Sequence, residues 1–66
     1  MMSALKGYAY HFDRAKAFEE EGTWGLAADA WKRAAKLAPS GKIWQRDNNR
    51  SLHCRRKFTQ QQREAS

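Results

Sequence analysis

A histidine and the chain's one cysteine stand side by side at His53 and Cys54. A thiol beside an imidazole suggests either an activated nucleophile or part of a metal site. A metal site needs about four ligands, and the other histidine, His11, is far away in sequence. The arginines that flank Cys54 would lower the pKa of its thiol and make it redox-reactive. The pattern favours a buried structural cysteine over a reactive thiol, and a reactive thiol over a metal ligand.

Basic residues are concentrated in the same part of the chain. Residues 42–66 carry a net charge of +5, whereas residues 1–41 carry +1. Lysine and arginine neutralise phosphates, which gives salt-dependent binding to nucleic acid without base recognition. The candidates for such contacts are Arg46, Arg50, Arg55, Arg56 and Lys57. On a helix three of them share a face and two spread around it. A solvated basic face suited to an acidic protein surface is therefore favoured, with direct nucleic-acid binding as the alternative.

The three tryptophans are of two kinds. Trp24 and Trp31 lie on one face of one predicted helix and are interpreted as core. Trp44 follows a loop and has polar neighbours, so we predict that it is half-exposed. Exposed tryptophan and arginine are typical of the residues that dominate protein interfaces. The predicted interface, shared between self-association and partner contact, consists of Trp44, Leu52, Arg55 and Phe58.

The sequence lacks the residues that are characteristic of other classes of function. The sequence contains no glycine-rich phosphate loop and no paired catalytic carboxylates, so we expect no enzyme, no cofactor and no small-molecule substrate. No apolar run approaches the roughly 18 residues of a membrane span, and no signal-peptide core follows residues 1–5. One cysteine cannot form an internal disulfide. These features predict a complete small protein of the cytoplasm.

The size and composition of the chain favour a single helical domain. A chain of 66 residues buries only about 60% of the surface that its unfolded form exposes. Valine is absent and Ile43 is the only isoleucine, whereas good helix formers dominate. The sequence therefore predicts one all-α domain over residues 1–66. Because so small a core is marginal, we expect a homodimer to complete it.

Apolar spacing predicts three helices, over about 4–21, 23–38 and 42–62, with a frayed tail at 63–66. The first two carry apolar residues at intervals of three and four, as on one face of an amphipathic helix. In the first helix these are Leu5, Tyr8, Phe12, Ala15 and Phe18. In the second they are Trp24, Ala27, Trp31, Ala34, Ala35 and Ala38, with Leu26, Ala30 and Leu37 widening the face.

Local signals mark the helix ends. Gly22 supplies the left-handed residue that commonly ends a helix, and Thr23 is a candidate cap for the next one. Pro39 opens the clearest break, because proline disfavours helix in the residue before it. Residues 47–49 are a candidate interruption of the third helix, for which we favour continuity. Residues 19–21 are acidic at a helix C-terminus, and we favour a solvated end over pairing with the basic tail.

The segment from Gly22 to Pro39 has the spacing of a tetratricopeptide-type unit. Glycine makes the turn, small residues let two antiparallel helices approach, and aromatic residues fill the ends of the contact. These positions are Gly22, Trp24, Ala27, Trp31, Ala34 and Pro39, with Ala15 and Phe18 in the first helix. We predict a hairpin over residues 1–41 whose open face is covered by the basic helix 42–62 or by a second chain. A peptide-binding repeat protein is a minor alternative, since a solenoid needs about three repeats.

With these residues in place, the chain resembles the bacterial ANR family, the negative regulators of AraC-type transcription activators. It is also similar to the related PerC-like regulators. The resemblance covers roughly residues 8–58. It rests on the block Glu-Glu-Gly-Thr-Trp-Gly-Leu-Ala-Ala-Asp-Ala-Trp-Lys-Arg-Ala at residues 20–34, and on a following helix that bears Trp44, Arg50 and Cys54.

The resemblance implies a cytoplasmic, non-enzymatic, dimeric helical protein. Members of the family bind a transcription activator directly and lower its activity, rather than competing for its DNA site. Their targets are often virulence or fimbrial activators. The expected function is thus inhibition of an AraC-type activator by direct contact, and the alternative is a small basic regulator that binds nucleic acid itself.

Overall fold

Three helices follow one another in the computed structural model, which describes residues 2–65 and the side chains of residues 7–65. Helix α1 spans Met2–Glu20, α2 spans Trp24–Lys36 and α3 spans Gly41–Ala65. The prediction of an all-α fold with three helices is confirmed. None of the helices in the described part is both long and apolar enough to cross a membrane. The homodimer stays a prediction.

The boundaries of α3 differ from those predicted. The helix is continuous through residues 47–49, as favoured, and it runs on past residue 62 to Ala65. Residues 63–65 are therefore helical where fraying was expected. Two predicted features lie outside the described residues: the fraying of Ser66 and the place of the Leu5 side chain on the apolar face of α1.

The turn between α1 and α2 depends on Gly22, whose φ is +74°. The N–H of Thr23 donates to the carbonyl of Phe18 (2.9 Å) and that of Gly22 to the carbonyl of Glu19 (3.0 Å), which closes the end of α1. The left-handed glycine is confirmed. Thr23 does stand at the N-cap of α2, but its side chain makes no capping bond. Its backbone, with φ −87° and ψ 74°, departs from the extended conformation usual at that position.

A hydroxyl cap that was not predicted from the sequence begins α3. The side-chain oxygen of Ser40 accepts a hydrogen bond from the N–H of Ile43 (3.2 Å), and its carbonyl accepts one from the N–H of Trp44 (3.0 Å). Serine at this position satisfies a donor that has no partner within the helix. The break that opens at Pro39 therefore also contains the N-cap of the next helix.

Helix α2 lies between the other two and packs against both. The ring of Phe12 on α1 meets Trp31 edge to face, with centroids 5.2 Å apart. On the other side, the hydroxyl of Ser51 on α3 donates to the carbonyl of Ala28 (2.8 Å). Small side chains let the helices approach closely. The buried apolar residues are Ala15, Ala27, Ala28, Ala30, Trp31, Ala34, Ala35 and Cys54.

The apolar face of α2 is narrower than predicted. Leu26 and Leu37 are 50% and 39% exposed, so they do not widen the core as expected. Trp24 is only partly buried at the edge of the core, whereas Trp31 is 4% exposed.

Candidate partner-binding surface

The predicted interface residues on α3 lie at the surface of the fold. Trp44 and Leu52 are each 53% exposed, and Arg55 is exposed as well. These three side chains and Lys32 of α2 line one groove of about 600 Å³ between the two helices. The structure thus brings three of the four predicted residues together.

Phe58, the fourth, lines a neighbouring groove of similar volume with Leu26. Its ring lies against Gly25: a Cβ atom added there would lie 3.0 Å from the ring. Phe58 remains 40% exposed. Because Arg55 lines both grooves, the two lie next to each other. We call this surface the α2–α3 face, defined by Leu26, Lys32, Trp44, Leu52, Arg55 and Phe58.

A polar network around Glu19 fixes α3 against the hairpin. The Glu19 carboxylate accepts hydrogen bonds from both the Nε (2.8 Å) and the terminal nitrogen of Arg50, and from the indole N–H of Trp31. The Cys54 thiol donates to the same carboxylate at 3.4 Å. The bonds from Arg50 are the main reason that the pKa of Glu19 falls to about 2, against the opposing effect of burial. The expectation that this end of α1 is only solvated is therefore wrong for Glu19.

A second network joins α1 to α3 nearer the start of α3. The Asp47 carboxylate, which is fully buried, accepts hydrogen bonds from the hydroxyl of Tyr8 (2.9 Å) and from the Nε of Arg46 (3.1 Å). A terminal nitrogen of Arg46 also donates to the Tyr8 hydroxyl (2.7 Å). Burial, with Asp47 beside it, raises the pKa of Tyr8. The buried carboxylate is thus fully paired, as its burial requires.

These networks determine which side of α3 faces solvent. Asp47, Ser51 and Cys54 are the buried residues of α3, and their spacing of four and three places them on one side. Each of the three bonds to a residue of α1 or α2. A helix held at three successive turns cannot rotate, so the exposure of Trp44 and Leu52 is fixed as well.

The residues of the nucleic-acid alternative are largely engaged within the chain. Arg46 and Arg50 bond to Asp47 and Glu19. The Lys57 ammonium lies 5.5 Å from the centre of the Trp24 ring. Arg55 and Arg56 are exposed. The three cations predicted to share a face therefore contact other residues of the chain, although all five basic side chains remain exposed.

Cys54 is a structural residue in this fold. Its side chain is fully buried, and burial, reinforced by the neighbouring Glu19, raises the pKa of the thiol to about 12. Arg50 does lower the pKa of the thiol, as expected of a flanking arginine, but burial and the neighbouring Glu19 outweigh it, so the expected net lowering is wrong. Within the described residues, no group of three or more His, Cys, Asp or Glu side chains could hold a metal ion.

Alkylation would test this assignment of Cys54. We expect the native chain to react with iodoacetamide at pH 8 at least about 100-fold more slowly than the chain unfolded in urea, because the reactive species is the thiolate. The rate can be followed by mass spectrometry on the intact chain. Equal rates in the two states would contradict a buried, protonated thiol.

Comparison of the chain with family models, curated proteins and solved structures finds no match.

Proposed function

We propose that this chain is a non-enzymatic negative regulator of transcription, which acts in the cytoplasm by binding an AraC-type activator directly. The contact is made by the α2–α3 face. The observation that carries the proposal is the pair Trp44 and Leu52, which are more than half exposed beside Arg55 in one groove. Large apolar side chains with an arginine are the usual anchors of a protein interface.

The choice of partner is supported by the resemblance of residues 20–34 and of Trp44, Arg50 and Cys54 to the ANR family. In the structure residues 20–34 form the turn and most of α2. On α3, Trp44 is exposed, and Arg50 and Cys54 both bond to Glu19. The chain would cover a helix that the activator uses to contact DNA or a second activator molecule. The activator would then be kept from its DNA-competent or self-associated form.

Capture from the native host's lysate tests the function. We expect the tagged full-length chain to retain an AraC-type activator after nuclease treatment, identified by mass spectrometry. If recovery of partners disappears with nuclease, the chain binds nucleic acid and the proposal is wrong. The nucleic-acid alternative would also show a steep loss of binding as salt rises, without sequence preference.

Single substitutions on the α2–α3 face test the site. Trp44→Ala or Phe58→Ala is expected to weaken the complex with the captured activator by about 30-fold, since truncation of an interface anchor costs about 2 kcal/mol. Affinity is measured by calorimetry with purified components, and helicity by circular dichroism. Tyr10→Ala is the matched control, because Tyr10 is an aromatic residue of α1 that is 57% exposed. A loss of helicity in either variant would assign that residue to the core instead.

A further inference from the structure

We infer that the occupant of the α2–α3 face is an acidic amphipathic helix of the partner protein, lying across the two neighbouring grooves with its apolar side on Trp44, Leu52 and Phe58. This inference rests on the proposed function and adds the chemistry of the segment that is recognised. It depends on the shape of the face and on its charge.

The dimensions of the face suit a helix. Trp44 and Phe58 are separated by about 14 residues of α3, which corresponds to about 21 Å, or about four turns of helix. The two grooves between them share Arg55 and are bounded by α2 on one side and α3 on the other. The groove between two packed helices receives the side-chain ridges of a third helix, with anchors spaced by three, four and seven residues.

The charge of the face selects an acidic occupant. Among the residues that line the two grooves, the cations are Lys32 and Arg55 and the acid is Asp29. Arg56 lies next to the face, in a surface depression that it shares with Leu52 and Arg55. Glutamate or aspartate on the flanks of a docked helix would therefore meet complementary charge, and lysine or arginine would be repelled.

The same charges argue against two other occupants. If a second copy docked face to face, two-fold symmetry would bring the cationic α2–α3 faces together, within a pair of chains that each carry +6. A nucleic-acid duplex would satisfy the arginines but would leave Leu26, Leu52 and Phe58 without apolar partners. An acidic amphipathic helix satisfies both the apolar and the charged parts of the face.

Synthetic helices provide the test. The probe is a fluorescein-labelled peptide of about 16 residues, with leucines along one side and glutamates elsewhere, and its binding to the full-length chain is followed by anisotropy. One matched peptide has lysine in place of each glutamate, and another has serine in place of each leucine. We expect the acidic amphipathic peptide to bind and both matched peptides to bind at least about tenfold more weakly.

Charge reversal on the protein identifies the face. Lys32→Glu with Arg55→Glu is expected to weaken binding of the acidic peptide by about tenfold or more and to increase binding of the lysine peptide. Arg33→Glu is the matched control, because Arg33 is exposed on α2 and lines neither groove. Circular dichroism verifies that each variant folds.

Three results would overturn the inference: equal binding of acidic and basic peptides, no effect of the double reversal, or a sedimenting dimer that the Trp44→Ala change dissociates and that excludes the peptide. These results are independent of the lysate experiment. If no activator is captured but the chain still prefers the acidic peptide, the proposed function is refuted. The inference that the face binds an acidic amphipathic helix is then still supported.

Discussion

Replacing Glu19 with alanine is expected to lower the free energy of unfolding by about 3 kcal/mol. The side chain of Glu19 is 12% exposed and accepts hydrogen bonds from Trp31, Arg50 and Cys54. Its removal leaves a buried indole N–H without an acceptor and a guanidinium without its counter-charge. A chain of 66 residues has roughly 3–10 kcal/mol of total stability, so the loss would unfold a large fraction of the molecules. Urea denaturation followed by circular dichroism measures it.

The adjacent residue gives the matched control for this substitution. Glu20→Ala removes the same charge from the same helix, but Glu20 is exposed, and surface changes are usually within about 0.5 kcal/mol. Glu19→Gln should fall between the two, since the amide oxygen still accepts hydrogen bonds but no longer neutralises Arg50. Equal effects of Glu19→Ala and Glu20→Ala would mean that the network around Glu19 contributes nothing to stability.

The pKa of Glu19 implies a pH dependence of stability that the same experiment can measure. The pKa falls from 4.5 to about 2 on folding, chiefly because Arg50 bonds to the carboxylate. A lowered pKa stabilises the folded state fully above about pH 4.5, and this contribution is lost as the pH falls towards 2. We expect wild-type stability to decline over that interval by up to about 3 kcal/mol more than the stability of Glu19→Gln. Parallel curves would contradict the assignment.

The features that could be predicted from the sequence are those set by local signals. The glycine turn at Gly22 and the helical hairpin depend on neighbouring residues and on a period of three to four. The exposure of Trp44 followed from its polar neighbours in the same way. The buried alanines Ala27 and Ala34 followed from their place on the apolar stripe.

The features that could not be predicted depend on how α3 is placed against α1. Glu19 and Arg50 are 31 residues apart, and Tyr8 and Asp47 are 39 apart. No local pattern in either segment indicates the helix register that brings these groups together. One signal was present: Asp47, Ser51 and Cys54 recur at helical spacing in a segment with few large apolar residues. A small polar stripe of this kind predicts the buried side of a helix whose partners supply hydrogen bonds.

The close approach of α1 and α2 leads to the second large effect, which is expected for Ala27→Leu. Ala27 and Ala15 are both fully buried, one on each helix of the hairpin, in the cluster with Phe12 and Trp31. A leucine at residue 27 has no space unless the helices move apart, and overpacking of this kind costs about 3 kcal/mol at the upper end of its usual range. Thermal unfolding followed by circular dichroism should show a melting temperature lowered by more than 10 °C, taking roughly 4–8 °C per kcal/mol.

The hairpin provides its own control for this substitution. Ala17→Leu adds the same three carbon atoms to α1 at an exposed position, so its effect should lie within about 0.5 kcal/mol. If Ala27→Leu instead melts at the wild-type temperature, the alanines do not set the separation of the helices. Because α3 packs on the other side of α2, a stable Ala27→Leu chain with altered peptide binding would show that the separation is adjustable and is transmitted to the α2–α3 face. An unfolded Ala27→Leu chain beside a folded Ala17→Leu chain would show that the fold requires a small side chain at residue 27.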